Sequence, residues 1–396
     1  MARRRKQINK GLAIFLSVVC FIIGTFAGVF GKIYFAPDDT YIIPETEVVS
    51  KSTYNSGDIN VETIKSQELS IHFLELGNKY TGDCTFIKVG DTEILIDAGS
   101  RADSVTPIYN YISQYITDGI LEYVIVTHAH QDHYAGFATG ANTDSLFDKL
   151  NVQTVIKFAG TNQKATSTLY ANFNRELAET KNNPDKNTKV YDALQCINNE
   201  DGASKTYNLS ASVELEILDQ KYYRAKATTE NNYSVCCMIN QTTGVSEKHY
   251  LFTGDLEADG EKSLVSLNSL PEVELYKAGH HGSKTSSSDS LLSVVKPKVV
   301  CVCACAGSTE YTTKNENTFP TQQFIDRVSL YTDNVFVTSL CVDYNKGEFT
   351  SFNGNIIVAS NGADLETNLY FSNNSKKLKD TDWFKQNRTI PQKWVA

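Results

Sequence analysis

From residue 70 onward the chain alternates short apolar runs with turns rich in Gly and polar residues. SIHFLEL, CTFIKVG and TEILIDAG predict three successive strands. SVTPIYNYISQYI predicts a helix, and EYVIVT a strand that runs straight into the polar stretch THAHQDHYAG. VQTVIKFAG predicts another strand, STLYANFNRELAETK a helix, and NNPDKNTK a loop. The second half repeats the style. SVELEILD, YSVCCMIN and HYLFTGD predict strands, LEADGEKSLVSL a helix, VELYKAG a strand and SDSLLSVV a helix. KVVCVCACAG, helix TQQFIDRVSLY and strands NVFVTSL and NIIVAS close the pattern. Strands in runs, with helices between and beyond, predict an α+β chain of two sheets covered by helices.

The N-terminus follows another rule. MARRRKQINK carries five positive charges and no acid, and residues 11–31 form a run of 21 uncharged, mostly apolar residues. At about 1.5 Å per residue such a helix crosses a hydrocarbon core of roughly 30 Å. Positive residues stay on the cytoplasmic side. The expected organisation is a cytoplasmic basic segment (1–10), a single transmembrane anchor (11–32), a polar stalk (33–68), a domain (69–365) and a basic tail (366–396). The localisation it predicts is the cell membrane, single-pass, with the domain extracellular.

Without its first ten residues the chain has 32 Lys and Arg against 46 Asp and Glu, a net charge of −14. An acidic body is not built for salt-driven, non-specific binding to nucleic acid. Among nine cysteines, Cys301, Cys303 and Cys305 fall on one face of a predicted strand, where disulfide geometry is rarely met, and read as small buried apolar residues. The tail 366–396 holds both tryptophans; it reads as a segment docked on the domain, or as a contact for an anionic surface.

Five of the seven histidines sit in two clusters. His128, His130, Asp132 and His133 follow a predicted strand end, where a rigid sheet aims side chains at one point. In an extended stretch His128 and His130 share a side, and Asp132 and His133 turn to another, which suits two neighbouring metals. LFTGD ends a strand in Asp255, and ELYKAGHHG ends another in His280 and His281. His72 and His249 read as structural. Gly282, Ser283, Lys284, Thr285 and Ser286 precede a predicted helix; this is either an anion-binding corner or a polar helix cap.

These residues resemble the metallo-β-lactamase-fold hydrolases over about residues 69–365. The ordered run HFLELGNKYTGDCTFIKVGDTEILIDAG, THAHQDHYAG, NNYSVCCMI, LFTGD and KAGHHGSKTSSS is similar to the extracellular hydrolase domain of ComEC-type competence proteins and to phosphorylcholine esterases of teichoic acid. The resemblance implies an αββα sandwich. It implies that Asp97 supports the metal loop, that His128 and His130 hold one metal, and that Asp132 and His133 hold a second. Asp255 would bridge, and His280 or His281 would complete the second metal, His280 coming first off the strand. The third histidine that many members give metal one has no counterpart in TTENNYSVCC, so water or Asn232 would complete it. A further departure is Phe319, where the ComEC-type pattern carries a histidine before proline.

The expected function is metal-dependent hydrolysis of phosphoesters or phosphodiesters by a metal-activated hydroxide, with Asp132 and Asp255 catalytic. The expected cofactors are two divalent metals, zinc first, with manganese or iron as alternatives. Substrate contacts are expected from Asn232, Ser283, Lys284 and Ser286, and the expected substrate is a small molecule or a cell-surface polymer. Two alternatives from other classes are a competence-related extracellular DNA nuclease and a non-catalytic binding module that keeps the fold.

Overall fold

Near-continuous apolar runs give strands that bury both faces, and the computed structural model, which describes residues 54–57, 59–140 and 142–395, stacks them as two sheets. The nine-stranded sheet runs Tyr54–Ser56, Thr367–Phe371, Ile356–Ser360, Leu69–Phe73, Thr85–Val89, Thr92–Ile96, Ile120–Val126, Asn151–Lys157, Lys189–Asp192. The eight-stranded sheet runs Glu348–Ser351, Val335–Asp343, Val299–Ala306, Leu275–Lys277, Ser246–Phe252, Cys236–Thr243, Val213–Leu218, Thr206–Asn208.

Val299–Ala306 shows how the layers are sorted. Cys301 and Cys303 join the core shared with the first sheet, while Val300, Val302 and Ala304 join a second core with Leu264, Leu292 and Phe324 of the covering helices. Side chains alternate across a strand, so its two faces feed two different cores. Seven cysteines are buried, and none of the eight described is in a disulfide. Burial pushes the Cys301 thiol well above its usual pKa. Rings close the gap between the sheets: Phe73 meets Phe252 at 6.4 Å between centroids, and Phe336 meets Phe371 at 4.9 Å.

The nine-stranded sheet takes in residues on either side of 69–365. Within the expected stalk, Tyr54–Ser56 pairs in parallel with Thr367–Phe371, and Ile64 of the helix Val61–Lys65 is buried in the core. Within the expected tail, Thr367–Phe371 pairs antiparallel with Ile356–Ser360, and Leu378, Phe384 and Trp394 are buried in the second core. Its lysines are occupied: Lys377 and Lys379 each lie 2.7 Å from Asp333. The localisation expectation is corrected as well. No helix among the described residues is long and apolar enough to cross a membrane, and the expected anchor at 11–32 lies outside the described residues.

The site is positioned by strand ends. Ile96 pairs in parallel with Ile125, so Asp97 and His128 leave neighbouring strands in the same direction. Leu251 pairs in parallel with Tyr276, which does the same for Asp255 and the His280–His281 turn. Ligand sites in sheets of this kind gather outside the carboxyl ends of parallel strands.

Candidate metal centre

The loop after Ile120–Val126 is held from below by one carboxylate. Asp97, itself in a left-handed conformation (φ 61°), accepts the backbone N–H of Thr127 at 2.8 Å and its hydroxyl at 2.7 Å. Its Oδ2 also receives Nδ1–H of His133 at 2.7 Å. That contact turns Nε2 of His133 towards Asp255 Oδ2, 3.1 Å away. A carboxylate behind Nδ1 is the common way of fixing the tautomer of a metal-binding histidine. Burial works against charge on His133, but Asp255 and Asp97 outweigh it and raise the ring's pKa well above its usual value. A pocket that holds a proton so firmly between carboxylates also favours another small cation.

His281 is held the same way. Its Nδ1 lies 2.9 Å from the carbonyl of Cys303 and 3.2 Å from Asp83 Oδ1. Its Nε2 then faces Asp132 Oδ2 at 3.3 Å and Asp255 Oδ2 at 3.5 Å. Burial opposes charge here too, but Asp83 and Asp255 lift the ring's pKa to about 10. Asp132 and Asp255 are buried, which disfavours ionisation, yet the facing histidines hold both well below the usual carboxylate range. His280 and His281 both carry positive φ, 47° and 54°, and so diverge although adjacent. His280 stands at the cavity surface, its Nδ1 3.1 Å from Thr285 Oγ1 and its Nε2 3.8 Å from Asp255 Oδ2. The ring buried within the carboxylate cluster is His281, not the first one off the strand.

His128 and His130 form the other half. Nε2 of His128 lies 3.0 Å from Nδ1 of His130 and 4.0 Å from Asp255 Oδ2. Burial, then the neighbouring His133, push the His128 pKa well below its usual value, so its ring is neutral and has a lone pair to offer. The Nδ1 side of His128 is flanked by Thr127 Oγ1 at 3.1 Å and Ser234 Oγ at 3.4 Å, and Ser234 Oγ also accepts the N–H of Asp255 at 3.0 Å. Asn232 is spent elsewhere: its Oδ1 accepts the N–H of Glu257 at 3.1 Å.

The donor set fits a divalent metal. Asp255 Oδ1 and His281 Nε2 are buried with no hydrogen-bond partner, a costly state that a cation relieves. Zinc–nitrogen bonds of about 2.0–2.1 Å put neighbouring ligands of a tetrahedral ion about 3.3 Å apart, close to the 3.0–3.3 Å separations of His128–His130, His133–Asp255 and His281–Asp132. Asp83, His133, Asp255 and His281 offer atoms within 4.8 Å of one another. Asp83 escaped the sequence reading. Its carboxylate already pairs with the buried ammonium of Lys277 and sits on the Nδ1 side of both rings, which makes it an orienting group rather than a ligand. An acid just before Thr85–Val89 was the available signal; nothing in the sequence tied it to Lys277.

The expected anion corner turns inward. The N–H groups of Ser287 and Ser288 are taken by the buried carboxylate of Glu261 at 2.6 and 2.7 Å. Ser283 Oγ pairs with Thr285 Oγ1 at 3.1 Å, and Ser286 Oγ points at the carbonyl of Asp255. Lys284 is exposed and reaches Asn317 at 2.9 Å. At this helix start the N-cap Ser288 makes no side-chain cap bond, and the Glu261 carboxylate takes up the amides that an anion would meet. The open space is instead a cavity of about 450 Å³ lined by Arg101, His130, Gln131, Asp132, Asp255, His280, Tyr311 and Phe319. Tyr311 donates its hydroxyl to Asp132 Oδ2 at 2.8 Å. Arg101 lies over the Tyr80 ring at 4.1 Å and pairs with Glu310 at 2.5 Å.

The profile of the metallo-β-lactamase superfamily matches residues 77–143, the segment from the turn before Asp83 through the His128–His133 loop. The ComE operon protein 3 of Bacillus subtilis is 29% identical over 94 residues, 23% of this chain and 12% of that protein. The Recombination protein 2 of Haemophilus influenzae is 34% identical over 73 residues, 18% of this chain and 8% of that protein. The chain therefore spans a small fraction of either relative. Among solved structures, the metallo-β-lactamase fold protein YhfI of Bacillus subtilis aligns with 72% of this chain and 99% of its own, at 10% identity and a TM-score of 0.37.

Proposed function

We propose that this protein, a metal-dependent hydrolase of the metallo-β-lactamase superfamily, cleaves small phosphoesters or phosphodiesters. One observation carries the reading: two buried carboxylates and two histidines anchored through Nδ1 turn their remaining atoms to one point beside a cavity that also holds a guanidinium. His133, His281, Asp132 and Asp255 would hold one divalent metal; His128 and His130, sharing Asp255, would hold a second. The imidazole and carboxylate set suits zinc first, with manganese or iron next. A divalent cation there supplies Lewis acidity and a nucleophile at neutral pH.

The chain's own groups do the rest. Asp132, steadied by the Tyr311 hydroxyl and ionised, orients the attacking water through its carboxylate. Arg101, fixed by Glu310 and Tyr80, offers a pre-positioned cation to phosphoryl oxygens. A cavity of this size admits a small ester.

The test is metal analysis of the full chain together with hydrolysis of bis(p-nitrophenyl) phosphate. Turnover should vanish with chelator, return with zinc, and fall about 100-fold or more in Asp132→Ala. A metal-loaded protein inactive on phosphate mono- and diesters alike ends this reading.

A further inference from the structure

The C-terminal segment packs against the cavity wall, and Arg388 reaches into it. Arg388 projects its guanidinium into the turn 318–320: Nε donates to the Pro320 carbonyl at 2.9 Å, and Nη2 to the carbonyl and hydroxyl of Thr318 at 2.8 and 2.9 Å. No ion pair to a carboxylate is formed by Arg388 among the described residues; burial among carbonyls pulls its pKa down to about 10. Its other face lies 4.7 Å from the Trp383 ring. Trp383 in turn sits against Gly307, where a Cβ would come within 2.2 Å of the indole nitrogen, and the Gly307 N–H donates to the Phe319 carbonyl at 2.8 Å.

The same turn is pinned from its other side. Thr321 donates its N–H to the Gly282 carbonyl at 2.9 Å, and a Cβ on Gly282 would meet Pro320 at 2.6 Å. Between these two clamps Phe319 is presented to the cavity. Its ring centroid lies 5.5 Å from that of His280, 5.8 Å from His281 and 6.1 Å from Tyr311. The cavity therefore has a mixed lining: carboxylates, histidines and Arg101 supply its charge, and the rings of Phe319 and Tyr311 beside them supply flat apolar surface. A half-buried arginine that spends Nε and Nη2 on one turn, with Nη1 anchored on the Asn387 carbonyl at 2.7 Å, holds that turn more rigidly than side-chain packing alone.

We propose that Phe319, held in place by Arg388 of the C-terminal segment, is a specificity-determining residue that favours phosphoesters carrying a flat, apolar group beside the phosphorus. Arg388 is a positioning residue that acts through Phe319. The proposal rests on the phosphoester reading above. The flat group lies against the rings and gains stacking and apolar burial, while the phosphoryl oxygens face the metal ligands and Arg101. An alkyl ester of the same charge gains the second set of contacts without the first.

The experiment compares bis(p-nitrophenyl) phosphate with methyl p-nitrophenyl phosphate, which release the same phenolate and differ in one aryl group. Wild type, Phe319→Leu, Phe319→Ala, Arg388→Gln and the double variant Phe319→Ala/Arg388→Gln are assayed with metal content and Tm measured in parallel. Wild type should prefer the diaryl ester by kcat/KM, and Phe319→Ala should cut that preference about tenfold, mainly through KM. Phe319→Leu, which keeps the apolar bulk and guards against a folding artefact, should move the ratio the same way. Arg388→Gln should lower the ratio too, with no further loss in the double variant, since both act through one ring. Bound metal should be unchanged throughout. An unaltered ratio in both Phe319 variants overturns the specificity role. A ratio unmoved in Arg388→Gln, or additive loss in the double variant, overturns the positioning role. Turnover of neither ester by metal-loaded wild type is the separate result that removes the phosphoester reading, and this proposal with it.

Discussion

Asp97 Oδ2 and His133 Nδ1 meet at 2.7 Å, and this contact decides which ring nitrogen faces Asp255. Asp97 also ties down Thr127, so one buried carboxylate sets both the backbone of the histidine loop and the tautomer of its last ring. Asp97→Asn should weaken divalent-metal binding about 10–100-fold, the usual cost of losing such a partner. A competitive metal titration reads this directly; equal affinity in the variant would mean the contact has no part in metal binding.

The two adjacent histidines should separate cleanly. His281 is buried with Nε2 facing Asp132 and Asp255, whereas His280 sits at the cavity surface. His281→Ala should lose bound metal by elemental analysis. His280→Ala should retain the metal held through His133 and Asp132. The reverse pattern would show that the His280–His281 turn is flipped.

Lys277 and Asp83 form an ion pair behind the site, and both are buried. The carboxylate works against its burial with the help of Lys277 and then His281. Removing one partner strands the other charge in the interior, at a cost of about 3–5 kcal/mol. Lys277→Met should show that loss in urea unfolding, and Lys277→Met/Asp83→Asn should recover much of it. A single variant as stable as wild type would mean that water reaches the pair.

His72 titrates away from the metal centre. It is buried between Ser70 Oγ and Tyr111 OH, each 2.9 Å from a ring nitrogen, and burial followed by the Lys88 charge lowers its pKa to about 3. The unfolded chain therefore binds a proton that the folded chain does not, below the ordinary histidine pKa. Its contribution is intact above about pH 6.5 and is lost as pH falls towards 3, at up to about 1.4 kcal/mol per pH unit. Unfolding free energies of wild type and His72→Gln measured from pH 7 to 4 should converge on acidification. Parallel curves would mean the folded ring takes up the proton after all.

The strand-end loops and their chemistry could be read directly from the chain. EYVIVT and VELYKAG run straight into His128 and His280, HYLFTGD ends in Asp255, and the observed strands Ile120–Val126, Ser246–Phe252 and Leu275–Lys277 release those residues at their carboxyl ends. The cysteines of Val299–Ala306 were legible for the same reason, since period-2 alternation is a property of the chain itself. Lys189–Asp192 and Thr206–Asn208 were not. They are three or four residues long and lie at sheet edges, where partner backbone rather than an apolar pattern makes the strand.

The sequence by itself therefore determined the residue types of the site, their order and the strands that deliver them, because those depend on spacing along the backbone. Tertiary structure decided which atoms meet. It buried His281 among the carboxylates and left His280 at the cavity surface through two positive-φ residues, brought Asp83 and Lys277 behind the rings, spent the Ser287 and Ser288 amides on Glu261, and set Phe319 over the histidines beside the turn that Arg388 holds. Each of those outcomes depends on the direction of a side chain held by partners far away in the chain, and such directions leave no period or spacing to read.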